Sequence, residues 1–176
     1  PGIEFRCHGW VDIIGYGVVE TCGSEDPVEV INHIHNHGGV AVFAHPNVRD
    51  YPIDSTWVAM LDGCEMWNIT NEGKYLPQPG GIRKFRELVE ANTGLLAFTG
   101  LDLHHTESYW NLSTQTYVEV RDRQSILKAL KKGKFHSTSP LFSVDSRGRI
   151  SSMKRFAISV LSSLLNVVRK MRDAVS

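Results

Sequence analysis

Apolar positions along this chain alternate between short strand-like runs and helical spacings. Ile3 to Cys7 and Val11 to Val19 read as strands, and the second is rich in β-branched residues. Ser24-Glu25-Asp26-Pro27 opens a helix, with Ser24 or Asp26 as cap and Pro27 in the first turn. Val28, Ile31, Ile34 and His35 recur at helical spacing until Gly38-Gly39 ends that helix. Val40 to Ala44 is a continuous apolar run of strand length. It predicts a strand covered on both faces, as in a parallel sheet. The chain must then turn, at His45-Pro46-Asn47.

The alternation continues. Trp57 to Leu61 predicts a short helix, Gly63 to Trp67 a strand, and Gly81 to Asn92 a helix with Phe85, Leu88 and Val89 on one side. Leu95 to Thr99 predicts a second buried strand, Thr116 to Val120 another, Arg123 to Lys132 a helix, and Phe135 to Thr138 a last strand. Strands alternating with helices imply an α/β domain with a largely parallel sheet. Beyond it, Ser151 to Val175 predicts one amphipathic helix. Its apolar stripe is Met153, Ala157, Val160, Leu161, Leu164, Val168, Met171 and Val175, with Lys154, Arg169 and Arg172 elsewhere. That helix is expected to pack on the domain or a partner, self-association included. Its basic character makes a membrane surface the alternative.

Composition narrows the class. A chain of 176 residues with 41% apolar and 22% charged residues is sized for one globular domain with a real core. A formal net charge of zero removes the usual signature of nonspecific nucleic-acid binding. Cys7, Cys22 and Cys64 are odd in number and form no CxxC pair, which argues against a zinc ribbon or disulfide framework. They read as buried thiols of a cytoplasmic protein. No signal peptide or long apolar span is visible. Pro1-Gly2-Ile3-Glu4 reads as a strand start without an initiator methionine, so the natural protein is expected to extend upstream.

Polar groups gather at predicted strand ends, where open α/β sheets and barrels build their sites. His45 follows one apolar strand, and Asp102 and His104 follow another. Imidazole nitrogen and carboxylate oxygen both bind divalent metals well. If residues 100–105 are extended, Asp102 and His104 project to the same side. Glu4 lies in an apolar strand context, where a carboxylate needs a metal, an arginine or backbone amides as partner. Glu65 sits similarly and reads as a structural hydrogen-bonding group. His33, His35 and His37 read as a solvated helix end, since their i, i+2 spacing does not share a helical face. His105 and His136 carry no clear role. The sequence has no Gly-x-Ser-x-Gly elbow, P-loop or dinucleotide fingerprint. Cys7 and His8 are strand neighbours facing opposite ways, which argues against a dyad.

The ordered set of motifs resembles the PHP family, the polymerase and histidinol phosphatase domain. Pro1-Gly2-Ile3-Glu4 resembles a Pro-Gly-Val-Glu strand whose Glu bridges two metals. Gly38-Gly39 through Ala44-His45-Pro46 resembles the strand whose His is a ligand. Asp62-Gly63-Cys64-Glu65 and Thr99-Gly100-Leu101-Asp102-Leu103-His104 resemble the next two segments, and Leu127 to Ser139 the closing helix and strand. The match covers residues 1–140, leaving 141–176 as linker and terminal helix. The family's opening His-x-His strand has no counterpart here, Asp12 stands where a His is common, and Leu101 replaces a Ser.

The resemblance implies a truncated, distorted β/α barrel of the TIM-like kind. It implies metal ligands at Glu4, Asp12 (or His8), His45, Asp102 and His104, with two or three Mn, Zn, Mg or Fe ions in the complete site. It further implies phosphate-ester hydrolysis by a metal-activated water in the full-length protein, with this stretch alone inactive. Arg49 becomes a candidate phosphate contact. The substrate class stays open among phosphorylated small molecules, nucleotides and nucleic-acid ends. The alternatives are a catalytically inactive module that binds a phosphorylated ligand, and a metal-dependent hydrolase of another bond.

Overall fold

The computed structural model describes residues 1–51 and 53–173, without side-chain placement for 72, 108, 165, 166, 168–170, 172 and 173. Five strands form the main sheet in sequential order: β1 (Gly2–Arg6), β2 (Asp12–Tyr16), β3 (Val40–Phe43), β4 (Gly63–Asn68) and β5 (Leu96–Gly100). A second sheet holds β6 (Ser113–Thr116), β7 (Phe135–Thr138) and β8 (Ser143–Asp145), all antiparallel. The helices are α1 (Pro27–Asn36), α2 (Ser55–Val58), α3 (Ile69–Glu72), α4 (Pro79–Ala91), α5 (Arg123–Lys131) and α6 (Ser152–Asp173). The fold is mixed α/β, and no closed barrel forms among the described residues.

The expectation of a largely parallel sheet needs correcting. Only the β3–β4 and β4–β5 pairs are parallel, while β1–β2 and β2–β3 are antiparallel. The connection of residues 7–11 is too short for the crossover that a parallel pair requires. The strand expected at Thr116 to Val120 lies earlier, at β6, and leaves Tyr117 and Val120 exposed.

The continuous apolar run in β3 has a direct cause. Ala41 and Phe43 join a cluster with Val30, Ile31 and Ile34 of α1 and Phe85 and Leu88 of α4. Val40 and Val42 face the other way, onto Leu127 and Leu130 of α5 and Phe135 of β7. Each large side chain buried this way contributes about 1.5–3 kcal/mol, so the layer that carries the strand ends is rigid. Helix α1 starts where its cap predicts: the Asp26 carboxylate accepts from the backbone N–H groups of Val28 and Glu29 at 2.8 and 3.1 Å.

Of the two places where α6 is expected to pack, the domain or a partner, the domain does not take the apolar stripe. Helix α6 meets α4, and its buried positions among the described side chains are Ile158 and Ser162. Met153, Val160, Leu161, Leu164 and Met171 of the stripe stay exposed. Val175 lies outside the described residues, as do the side chains of Val168, Arg169 and Arg172. No helix among the described residues is long and apolar enough to cross a membrane.

None of the three cysteines is in a disulfide among the described residues, and Cys7 and Cys64 are buried. Burial, reinforced by the nearby Asp12 charge, pushes the Cys7 thiol up to about 12. Thiolate is the reactive form, so Cys7 is expected to resist iodoacetamide in the native chain near pH 8 and to react after denaturation. Peptide mapping after alkylation checks this, and rapid native labelling at Cys7 contradicts it.

Candidate metal centre

Period-two geometry places the first donors. In β1, Phe5 points into the core, so Glu4 and Arg6 share the opposite face. Arg6 is paired in register with Asp12, the first residue of β2, and its Nε donates to Asp12 Oδ1. The Ala44 N–H then bonds the Asp12 carbonyl at 2.9 Å, which brings the end of β3 beside β2 and delivers His45 to the same place.

His45 adopts a left-handed backbone, with φ of 31°. Glu65 holds it there. This carboxylate is 3% exposed, and its Oε2 accepts from the His45 N–H and from Asn68 Nδ2, both at 2.9 Å. Burial raises the Glu65 pKa, against the lowering effect of those hydrogen bonds. Gly100 is required opposite it, because a Cβ there falls 1.8 Å from Glu65 Oε1.

His45 Nε2 lies 3.4 Å from Glu4 Oε1 and 3.6 Å from Asp12 Oδ2. One donor atom from each of Glu4, Asp12 and His45 falls within 4.8 Å of the other two. The hydrogen bond with Glu4 raises the His45 pKa against its burial, with Glu65, Asp102 and Asp12 adding to the rise. The same bond lowers the Glu4 pKa. His45 Nδ1 is buried without a hydrogen-bond partner.

Asp102 and His104 meet at 3.0 Å between Oδ1 and Nε2, but not by strand alternation. Residues 101–103 have no regular structure, and Asp102 has a left-handed φ of 49°. Thr70 Oγ1 bonds the carbonyls of Leu101 and Asp102, and Asn71 Nδ2 donates to Asp102 Oδ2 at 3.0 Å. Helix α3 therefore sets this turn.

One cavity of about 310 Å³ is lined by Glu4, Asp12, His45, Asp102, His104 and Arg49 together. Arg6, Trp10 and Asn71 also line it, and sequence reasoning missed all three. Arg6 was readable two residues from Glu4 on the same strand face. Asn71 gave no signal. Trp10 gave none either, because its place depends on a left-handed φ of 65° rare for a bulky residue. Its ring carries Arg6 at 5.5 Å and Arg49 at 4.9 Å from the centroid.

His8 is turned away from the cavity, with Nδ1 3.2 Å from the exposed Glu25 carboxylate. His105 is exposed, and His136 lies in β7 opposite Gln115 and Asp145. Glu65 takes the hydrogen-bonding place expected for it. His33, His35 and His37 lie at the partly exposed end of α1, as expected, but are not unengaged: His35 Nε2 bonds Asp62 Oδ2 at 3.0 Å, and His33 and His37, one turn apart, bring their rings to 4.3 Å.

One nitrogen and two carboxylate oxygens, from the middle of β1, the start of β2 and the turn after β3, form a donor set that suits a divalent cation of Zn²⁺ or Mn²⁺ character. Arg6 takes one Asp12 oxygen and leaves the other facing His45, so the set survives that ion pair. No protein-family model matches this chain, and no curated protein matches it.

Proposed function

We propose that this chain carries part of the catalytic centre of a metal-dependent phosphoesterase of the PHP type. The observation that carries the proposal is the convergence of Glu4, Asp12 and His45 within 4.8 Å, in a cavity that Asp102, His104 and Arg49 also line. The fold supports it in a second way. One concavity of about 530 Å³ takes residues from β1, β2, β4 and β5 and from Ala44 and His45 after β3, so the sheet curls. In this reading the curled sheet is one side of a distorted β/α barrel.

Glu4, Asp12 and His45 hold one ion, and Asp102 and His104 supply donors for further ions. A bound divalent cation supplies positive charge for phosphoryl oxygens and acidifies a water to serve as nucleophile. Arg49 and Arg6 offer guanidinium groups to a phosphate at the cavity mouth. Trp10, lying under both, fixes their positions through cation–π contact. Glu65 keeps the His45 backbone in place.

The test is metal loading followed by elemental analysis across pH. A proton on His45 competes with the ion, and the His45 pKa lies above its ordinary 6.5. Affinity for Mn²⁺ or Zn²⁺ is therefore expected to climb as pH rises through 6.5 and to level off only above the raised value. Affinity flat over that range rules His45 out as a ligand. Hydrolysis of a phosphomonoester panel with Mn²⁺, measured on the natural full-length protein, then decides the reaction.

The Arg6–Asp12 ion pair favours a second reading, an inactive module that holds a phosphorylated ligand by its arginines. Ligand binding that survives chelation, with no turnover, selects that reading.

A further inference from the structure

Helix α6 has two opposed faces. Ile158 and Ser162, one turn apart, are buried, and Ile158 lies in a groove with Pro79 and Ile82 of α4. Two helical steps turn a side chain by about 200°, so Val160 and Leu164 point the other way. Both are exposed, together with Met153, Phe156, Val167 and Met171, each three or four residues from the next. Phe156 is 73% exposed. A continuous bare apolar face of this length, on a domain that already has its core, marks an interaction surface.

The charges say what covers it. The chain as a whole is formally neutral, yet α6 holds five basic residues and one acid, Asp173. Lys154 and Arg155 fall near its start, and Arg169, Lys170 and Arg172 near its end. Between them, Phe156 to Val168 carries no charged residue. Cations near a helix start oppose the helix dipole, so Lys154 and Arg155 do not serve the helix itself. A second copy of α6 would set like charges together in either orientation: Lys154 and Arg155 against themselves, or against Arg169, Lys170 and Arg172. A partner helix in water takes its register from charges flanking the seam, and the uncharged middle offers none. An anionic lipid surface asks for this pattern. The apolar middle settles at the boundary of headgroups and acyl chains, and the cations at the ends reach lipid phosphates.

We infer that α6 is an in-plane anchor for an anionic phospholipid surface. No helix among the described residues is long and apolar enough to cross a membrane, so α6 lies along the surface. Its 22 residues cover about 33 Å. The face that carries Ile158 holds the domain above the lipid. The inference is independent of the metal cavity.

The experiment mixes the full chain with vesicles of phosphatidylcholine alone, or of phosphatidylcholine and phosphatidylglycerol in equal parts, and reads bound protein by flotation. Each cation near an anionic surface is worth about fivefold in affinity, so binding to the anionic vesicles is expected to be at least about 10-fold tighter than to the neutral ones. It should fall as salt rises from about 0.1 to 1 M. Lys154→Gln combined with Arg155→Gln should weaken it by roughly 10- to 30-fold. Leu164→Glu, a charge in the middle of the bare face, should weaken it by about 10-fold or more. Ser159→Gln, exposed and outside that face, should change nothing. Circular dichroism establishes that each variant is folded, and Phe156→Ser replaces Leu164→Glu if the latter is not. Absence of binding, equal affinity for neutral and anionic vesicles, or anionic binding that the apolar-face variant leaves intact overturns the inference. So does a lipid-free dimer in sizing chromatography that the same variant dissolves, because a second copy then covers the face.

Discussion

Replacing His45 by alanine is expected to weaken Mn²⁺ or Zn²⁺ binding in the main cavity by about 100-fold or more, the upper end of what loss of even an outer partner costs. His45 is the one nitrogen donor in the trio with Glu4 and Asp12, and its backbone is fixed from behind by Glu65. The rise of affinity with pH should disappear with the side chain. Glu4→Gln keeps the shape and removes only charge, so it separates a ligand effect from a packing effect, and it too should lose binding. Calorimetric titration near pH 8 reads both. Binding by His45→Ala within about threefold of the parent would sink the ligand assignment, since a direct donor is worth more than that.

The same pair gives the metal-free chain a pH signature. The raised His45 contributes stability that is complete below 6.5 and is lost as pH rises through its folded value. The lowered Glu4 contributes stability that is complete above 4.5 and is lost as pH falls through its folded value. Both contributions are whole between those two ordinary values, so without metal the pair is strongest in mildly acidic solution. The proposed metal binding is expected to favour the opposite, alkaline side.

Gly100→Ala is expected to destabilise the fold by roughly 2–4 kcal/mol, combining overpacking with disturbed buried hydrogen bonds. The added methyl falls 1.8 Å from Glu65 Oε1. That carboxylate cannot step aside freely, because its other oxygen holds the His45 N–H and Asn68. At this chain size the melting temperature should drop by roughly 5–15 °C. Glu65→Ala removes the clash but leaves the His45 N–H without its partner, at a cost of about 1–3 kcal/mol. The double variant should therefore lose less than the sum of the two single losses, and a double-mutant cycle by thermal melting reads that coupling. Strict additivity, or a Gly100→Ala melt within about 2 °C of the parent, contradicts the close approach.

Much of the fold was legible because local rules and tertiary packing agree. Asp26-Pro27 marks the start of α1, and the unbroken run in β3 reflects cover on both faces. The second sheet was harder. Its strand β6 reads Ser-Thr-Gln-Thr with no apolar alternation, and β8 has three residues, so pairing with β7 rather than local pattern defines both. In α6 the wider apolar stripe outvoted Ile158, the residue that actually docks. The six candidates Glu4, Asp12, Arg49, His45, Asp102 and His104 were named from strand ends and motif order, and the fold brings them to one cavity. The route to Asp102 and His104 was not legible, since a left-handed turn held by Thr70 and Asn71 replaces the extended segment. The meeting of His33 and His37 was hidden by attention to i, i+2 spacing, when i, i+4 is the relation that matters on a helix.

If the proposed cation binds, sealing Glu65 beneath His45 would link occupancy to folding. Glu4 and Asp12 each have a basic neighbour, His45 and Arg6, but Glu65 is shut away from water, and the Asp102 charge adds to the burial that raises its pKa. On the proposed reading, a cation would add positive charge beside that cluster in the native state and find no such assembly in the unfolded one. The thermal melt would then, on the same reading, serve as a gauge of loading that needs no knowledge of the substrate, and a chain kept without metal would be easier for proteases to clear.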